Sequence, residues 1–123
     1  MAGKKIGIVG SRRRTDKNNV IALVDSLDLT DTIVSGGCKG VDTWAEERAK
    51  QRGMKTIIHK PDLKNVKDRI DVVKRYYERN KKVAQESDII HAFVSNDRKG
   101  GTENTIQWSL KMHKIIIIHN TEE

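Results

Sequence analysis

Short apolar runs rich in β-branched residues alternate along the chain with stretches of helical spacing. The runs predict five β-strands, at Lys5–Val9, Thr32–Ser35, Thr56–His59, Asp88–Val94 and Lys114–His119. Strands that are joined through helices run parallel, and right-handed crossovers place the helices on both faces of the sheet. The pattern therefore predicts an α/β fold: a three-layer, Rossmann-like, doubly wound parallel sheet of about five strands.

Four helices are predicted between these strands. The first begins after Asp16 or Thr15, either of which is a suitable N-cap. The second contains a capping-box sequence, Thr43–Glu46, and ends at Gly53. The third helix has a long apolar stripe formed by Val66, Ile70, Val73, Tyr77 and Ala84. Asn80 lies on the same stripe, so we expect its side chain to point inward.

The fourth helix is predicted from Thr102 as its N-cap and from the apolar positions Ile106 and Leu110. Trp44 and Trp108 have helical phases that favour packing over stacking on a ligand. A length of 123 residues fits one domain, which we expect to span residues 1–123.

Composition narrows the class of protein and of partner. Apolar residues make up 36% of the chain and form compact runs, which excludes wholesale disorder. No apolar run approaches the ~20 residues of a membrane span, so we expect a cytoplasmic protein that does not bind membranes. One cysteine and four scattered histidines favour neither a disulfide nor a metal site, and we expect no cofactor. The net charge of +7 favours anionic partners.

Three polar, glycine-containing loops follow the first, second and fourth predicted strands: Gly10–Thr15, Ser35–Asp42 and Ser95–Glu103. Loops at these positions meet at the carboxyl edge of a doubly wound sheet, where ligands bind. Glycine lets backbone amides approach a ligand, and helix N-termini attract anions, so the loops predict a phosphate site. A Walker A sequence and GxGxxG are absent from the sequence, which disfavours a standard ATPase or dehydrogenase. The candidate ligands in the first and third loops are Gly10, Ser11, Arg12, Gly100, Gly101 and Thr102.

Side chains near these loops have competing interpretations. We favour Arg12 as a phosphate ligand over Arg13 and Arg14, because a run of three arginines is usually a partly solvated cluster. Arg79 is positioned to reach a phosphate. Asn80 either bridges to the Gly100–Thr102 loop or touches the ligand, or it simply ties its helix to strand-end carbonyls, and we favour this last, structural role.

Four segments together suggest a family: IGIVGSR, IVSGGCKGVDTWAEERA, RNKKVAQESDIIHAFV and KGGTENT. They resemble the SLOG superfamily of Rossmann-like proteins, which includes the DNA-processing protein A branch, the LOG phosphoribohydrolases and small nucleotide-binding relatives. The resemblance covers nearly the whole chain and implies a homodimer. It also implies that an anion or nucleotide pocket is shaped by Gly36, Gly37, Gly40 and Asp42.

The LOG branch implies catalytic candidates. Its members cleave an N-glycosidic bond with an arginine that precedes the fourth strand, matched by Arg79, and with a glutamate three residues beyond a GT pair. In this chain that position is Thr105, and the nearest acid after Thr102 is Glu103. The resemblance therefore implies Arg79 as a catalytic residue of a nucleoside monophosphate phosphoribohydrolase, with Glu103 or a substrate-assisted group in place of the missing acid.

Three functions remain open from the sequence. The favoured one is binding or sensing of a nucleotide or nucleotide-derived phosphate through the glycine-rich loops. The alternatives are the phosphoribohydrolase and single-stranded DNA binding, as in the DNA-processing branch. Residues Lys60–Lys82 contain nine basic and four acidic residues. With only two tyrosines among them we interpret this segment as a solvated helix face.

Overall fold

The computed structural model describes residues 3–120, in which strands and helices alternate strictly. The order is β1 (Lys5–Gly10), α1 (Lys17–Ser26), β2 (Thr32–Ser35), α2 (Val41–Gln51), β3 (Lys55–Ile58), α3 (Arg69–Glu86), β4 (Ile89–Phe93), α4 (Gly101–Lys111) and β5 (Ile115–His119). All pairings are parallel and the sheet order is β3-β2-β1-β4-β5. The predicted fold class is confirmed, and each predicted strand lies within one residue of the observed one.

Each face of the sheet has its own apolar core. The side chains of Ile6, Ile8 and Phe93 lie on one face, packed with residues of α1 and α2. Their neighbours Val9 and Ala92 lie on the other face, packed with residues of α3 and α4. Because alternate residues of a strand point to opposite faces, burial of both faces requires the continuous apolar runs seen in the sequence.

The sheet order places a crevice at the carboxyl ends of β1 and β4. From β1 the chain proceeds outward to β2 and β3, then crosses back to β4 and continues outward to β5. The loops after β1 and β4 therefore diverge to opposite faces, which leaves an opening at the carboxyl edge of the sheet.

Two helices begin at glycines rather than at the predicted side-chain caps. The N-cap of α2 is Gly40, at φ +89°, and that of α4 is Gly100, at φ +105°. The predicted N-cap Thr102 is wrong, since Thr102 lies inside the first turn of α4. Likewise the predicted capping box Thr43–Glu46 is wrong, since both of its side chains bond to the preceding strand and loop. The predicted stop at Gly53 is confirmed, with φ +75° after the C-cap of α2.

The apolar faces of α3 and α4 also differ from the prediction. Val66 lies before α3, which is capped by Asp68, and Ile70 is 69% exposed. An 18-residue helix is about 27 Å long, whereas strands of 4–6 residues span about 13–20 Å, so α3 is longer than the sheet by about 7–14 Å. In its C-terminal half one face is buried, and Asn80 belongs to this face and points inward as predicted. In α4, Leu110 is exposed instead of buried.

Among the helices within residues 3–120, none is long and apolar enough to cross a membrane.

Candidate phosphate-binding cleft

A cleft of about 600 Å³ opens at the carboxyl edge of the sheet, within the range of small-ligand sites. The three glycine-containing loops and α3 form its walls. The sequence-predicted site residues that line it are Gly10, Ser11, Arg12, Gly36, Asp42, Arg79, Asn80, Gly100, Gly101 and Thr102. Gly37 and Gly40 do not line it; their positive φ angles of 72° and 89° shape the β2–α2 loop behind the wall.

Asp42 holds the β2–α2 loop in place. Its Oδ2 accepts hydrogen bonds from the backbone N–H groups of Gly36 (3.0 Å) and Cys38 (3.3 Å). Thr43 contributes a further tie by donating to the Cys38 carbonyl at 2.6 Å. Burial raises the pKa of Asp42 from 3.8 to about 6, while the two amides and the nearby Arg79 oppose the rise. The carboxyl group thus shapes the loop and titrates within the cleft.

Arg79 and Asn80 join the second loop to the third. The Arg79 guanidinium donates to the Gly36 carbonyl, to Cys38 Sγ (3.3 Å) and to Asn80 Oδ1 (2.9 Å). The Asn80 amide in turn donates to the carbonyl of Gly101 at 3.3 Å. Both side chains are buried. Because each of its nitrogens already has a partner, Arg79 is suited to positioning the loops. We call this pair the Arg79–Asn80 clamp.

Three other basic side chains line the cleft. Arg12 is exposed, and the neighbouring Cys38 side chain is the largest cause of its raised pKa. Arg13 forms an ion pair with Asp97, with Nη1 and Oδ2 2.6 Å apart, which links the first loop to the third. Lys99 is exposed in the third loop. Together with Arg79 these residues place four cationic side chains in the lining of the cleft. Among the described residues, Asp42 is the one carboxylate that lines it.

Arg14 differs from its predicted place in a solvated cluster. It is 6% exposed, and its guanidinium lies 5.3 Å from the centre of the Phe93 ring. Its Nη1 donates to the carbonyls of Val94 (2.9 Å) and His119 (3.1 Å), and its Nη2 pairs with Asp16 Oδ2 at 2.7 Å. Asp16 occupies the predicted N-cap position of α1, but its carboxylate accepts from the side chains of Arg14 and Asn19 rather than from a backbone N–H of the helix. Arg14 therefore fixes the ends of β4 and β5.

Glu103 is turned away from the cleft. Both of its carboxylate oxygens accept hydrogen bonds from the Arg98 guanidinium, at 2.8 and 2.9 Å. Glu103 is absent from the lining, whereas Arg79 belongs to it. Arg79 and Glu103, which the LOG resemblance implies as catalytic candidates, thus lie in different surroundings.

Sequence reasoning did not select the outer wall of the cleft. This wall is formed by Val73, Tyr76 and Tyr77 on the part of α3 that extends beyond the sheet. The Tyr76 ring lies 5.4 Å from the Arg79 guanidinium carbon. The signal that was available is the length of α3, since an apolar stripe longer than the strands has no sheet to cover at one end.

The two tryptophans stand outside the cleft lining. Trp44 packs against the core beneath α1 and α2, as predicted from its helical phase. Trp108 lies between Lys81 and Lys111, each with its ammonium nitrogen 5.0 Å from the ring centre. Within residues 3–120, no group of three or more His, Cys, Asp or Glu side chains is arranged to hold a metal ion.

Comparison with known proteins gives two kinds of match. The family described as DNA recombination-mediator protein A matches residues 1–60. Among solved structures, DNA processing protein A (DprA) from Streptococcus pneumoniae superposes with a TM-score of 0.77 at 20% identity, over 94% of this chain. The family match covers 60 of the 123 residues, and the structural likeness, at 20% identity, shows that the two chains share a fold. This chain spans 50% of that DprA chain.

A second solved structure also shares the fold. The C-terminal domain of the PF1911 hydrogenase from Pyrococcus furiosus matches with a TM-score of 0.54 at 13% identity, over 96% of this chain and 92% of that domain. A search of curated proteins finds no match. The glycine-containing loops that carry the SLOG resemblance in the sequence line one cleft.

Proposed function

We propose that this protein, which resembles the SLOG superfamily, binds a nucleotide or another phosphate-bearing organic ligand in the cleft at the carboxyl edge of the sheet. The observation that carries the proposal is the mixed chemistry of the cleft lining. Glycine-containing loops and cations line the cleft together with the apolar and aromatic side chains of Val73, Tyr76 and Tyr77. A ligand with an anionic phosphate and an aromatic base matches both kinds of lining.

The phosphate is held by the third loop in this proposal. α4 starts at Gly100 with no side-chain hydrogen bond capping it, and Gly101 and Thr102 of its first turn line the cleft. Helix N-termini bind anions because their N–H groups are unpaired and the helix dipole adds partial positive charge. Arg12 and Lys99, both exposed at the rim, complete the charge complement.

The remaining predicted residues act as supports. Asp42 and the Arg79–Asn80 clamp fix the position of the second loop relative to the start of α4 through hydrogen bonds to Gly36 and Gly101. Gly36 is required there, because a Cβ at that position would lie 2.8 Å from Arg79 Nη1. The base rests against the tyrosines, where aromatic stacking adds affinity without specifying one base.

A thermal-shift series tests the proposal. The full chain is melted with a nucleoside monophosphate, the matching nucleoside, ribose 5-phosphate and inorganic phosphate. We expect the melting temperature to rise with nucleotide concentration, and to rise less with either half of the ligand. Unchanged melting temperatures with every ligand up to millimolar concentration would contradict the proposal.

Single-stranded DNA is the second candidate ligand. It is favoured by the match to the DNA recombination-mediator protein A family and by the cations around the cleft. DNA binding through phosphates weakens steeply as salt rises, because bound counterions are released. Fluorescence anisotropy with a labelled oligonucleotide at two salt concentrations distinguishes the candidates: a steep salt dependence, together with no response to mononucleotides, favours DNA.

The phosphoribohydrolase alternative receives no support from Glu103, whose carboxylate is held by Arg98. Incubation of the chain with nucleoside monophosphates, followed by chromatography for free base, tests it directly. Release of free base would show that the protein hydrolyses its ligand rather than only binding it. Asp42 would then be the candidate acid, because it is the carboxylate in the cleft and its pKa is raised.

A further inference from the structure

The first loop begins with a tight turn of residues 11–14, which we call the 11–14 turn. The backbone N–H of Ser11 donates to the carbonyl of Phe93 at 3.0 Å, and the N–H of Arg14 donates to the carbonyl of Ser11 at 3.2 Å. The Arg14 side chain then reaches back to the sheet, where its Nη1 donates to the carbonyl of Val94 at 2.9 Å. Both ends of the turn are therefore held by the carbonyls of two consecutive residues at the end of β4.

The Arg14 guanidinium is held by hydrogen bonds from all three of its nitrogens. Its Nη1 also donates to the carbonyls of His119 (3.1 Å) and Asn120 (2.6 Å), at the end of β5. Its Nε and Nη2 donate to the two carboxylate oxygens of Asp16, at 2.9 and 2.7 Å. The side chains of Arg14 and Asp16 are 5% and 8% exposed. A two-pronged contact of this kind fixes the orientation of the guanidinium as well as its place.

Aromatic rings give Arg14 a rigid support. Its guanidinium carbon lies 5.3 Å from the centre of the Phe93 ring. The His119 ring stacks on the same phenyl ring, with 4.2 Å between the ring centres and 4° between the planes. Phe93 itself is buried in the core beneath α1 and α2. The 11–14 turn is therefore attached, through one side chain, to the interior of the sheet.

The other side of the 11–14 turn faces the cleft. Ser11, Arg12 and Arg13 line the cleft, whereas Arg14 and Asp16 stand outside its lining. The Ser11 hydroxyl accepts from the backbone N–H of Arg13 at 3.1 Å, which leaves its proton to be donated to a ligand. The guanidinium of Arg12 is exposed beside it. A hydroxyl donor and a cation thus stand together on the cleft side of a turn that is anchored from behind.

We propose that Arg14 is a positioning residue for phosphate binding, which holds the 11–14 turn so that Ser11 and Arg12 meet the phosphate. This inference rests on the proposed nucleotide function, and it adds the first loop to the start of α4 as a second phosphate contact. Groups that are fixed before the ligand arrives bind it more tightly, because less conformational freedom is lost on binding. Arg14 acts through its neighbours and makes no contact with the ligand.

Arg14→Lys tests this role. The change keeps the positive charge, but an ammonium group cannot bridge Asp16 and the strand-end carbonyls as the planar guanidinium does. Amide chemical-shift titrations give the dissociation constants of a nucleoside monophosphate and of the matching nucleoside. The ratio of the two constants measures what the phosphate contributes. We expect this ratio to fall at least tenfold in Arg14→Lys, while the affinity for the nucleoside stays at the wild-type value.

Arg52→Lys is the matched control. Arg52 Nη1 likewise donates to two backbone carbonyls, those of Val24 (2.6 Å) and Leu27 (3.0 Å). These carbonyls lie at the end of α1, next to the start of β2 and away from the carboxyl edge of the sheet. We expect Arg52→Lys to lower the melting temperature and to keep the wild-type ratio. An equal fall of the ratio in both variants would overturn the role of Arg14.

A milder variant guards against a folding defect. Asp16→Asn keeps one acceptor oxygen for Arg14, so its ratio should lie between those of Arg14→Lys and the wild type. Hydrogen exchange of the Ser11 amide, measured without ligand, should speed up in Arg14→Lys and Asp16→Asn but not in Arg52→Lys.

The outcomes separate this inference from the function on which it rests. A folded Arg14→Lys chain that binds nucleotide with the wild-type ratio, or whose Ser11 amide exchanges at the wild-type rate, would overturn the role of Arg14 alone. A wild-type chain that binds no nucleotide would overturn the proposed function and this inference with it.

Discussion

Arg79 Nε donates to Asn80 Oδ1 at 2.9 Å, and this contact between adjacent residues of α3 connects two loops of the cleft. Arg79 continues to the carbonyl of Gly36 in the second loop, and Asn80 to that of Gly101 in the third. Two buried polar residues in succession on one helix thereby fix the spacing of the loops that we propose to hold the phosphate.

Arg79→Met tests the clamp. The change leaves the carbonyl of Gly36 and the side-chain oxygen of Asn80 without their donor in a buried place. An unsatisfied buried polar group costs about 1–3 kcal/mol, so we expect the free energy of unfolding to fall by that amount in urea titrations. Nucleotide affinity should fall at least tenfold by calorimetry.

The matched control for the clamp is Arg13→Met, which removes an exposed ion pair with Asp97. Exposed pairs contribute about 0–1 kcal/mol, so stability should change little. If Arg79→Met melts like the wild type and binds nucleotide equally well, the clamp does not organise the cleft.

Arg12→Ala combined with Lys99→Ala tests the proposed phosphate contacts. Both side chains are exposed, so the variant should unfold at the wild-type temperature. Loss of two charge-assisted contacts, each worth roughly 1.5–3 kcal/mol, predicts at least a hundredfold weaker nucleotide binding by calorimetry. Lys39→Ala combined with Lys55→Ala removes equal charge outside the cleft lining and should bind normally. Equal weakening in both pairs would indicate a general charge effect.

Asp42→Asn tests the titration of the cleft carboxyl. The folded-state pKa of about 6 lies above the unfolded value of 3.8, so the folded chain holds the proton more tightly. Stability from this group is present below pH 4 and is lost as pH rises through 6. We therefore expect the free energy of unfolding of Asp42→Asn, measured relative to that of the wild type, to rise by about 1–3 kcal/mol between pH 4 and pH 7.

The same variant bears on anion binding. Ionised Asp42 repels a phosphate, so Asp42→Asn should bind nucleotide more tightly than the wild type at pH 8, and the ratio of their affinities should approach one at pH 5. Because both proteins bind the same ligand, protonation of the ligand phosphate affects both affinities equally and cancels in their ratio. A constant ratio across this range, or equal stability at every pH, would show that Asp42 does not titrate there.

His91 gives the opposite pH dependence. Burial and the neighbouring His119, whose Nε2 lies 2.9 Å from its Nδ1, lower the pKa of His91 from 6.5 to about 4. The unfolded chain then binds more protons between these values, so stability is complete above pH 6.5 and is lost as pH falls toward 4. We expect the melting temperature of His91→Gln to fall less steeply over this range. Parallel profiles for variant and wild type would refute the assignment.

The sheet could be predicted closely because runs such as Ile115–Ile118 are both apolar and β-branched, as strands buried in a parallel sheet must be. The meeting of the three loops follows from topology alone. The start of α2 was missed because Gly40 caps it without a side chain, while the nearby Thr43 bonds the loop instead.

Long-range partners explain the other departures. Arg14 is buried because its carbonyl partners at Val94 and His119 lie 80 and 105 residues away in sequence. The exposed half of α3 was misplaced because apolar periodicity does not distinguish a helix face on the sheet from one beside a cleft. Tyr77 belongs to the second kind.

Nitrogen-edited NMR of the labelled chain, titrated with a nucleoside monophosphate, tests nucleotide binding most directly. The proposal predicts saturable shifts of the backbone amides of Gly36, Gly101 and Thr102, with Lys39 and Lys55 unmoved. Amide signals that stay fixed, or that shift only on the outer surface of α3, would contradict it.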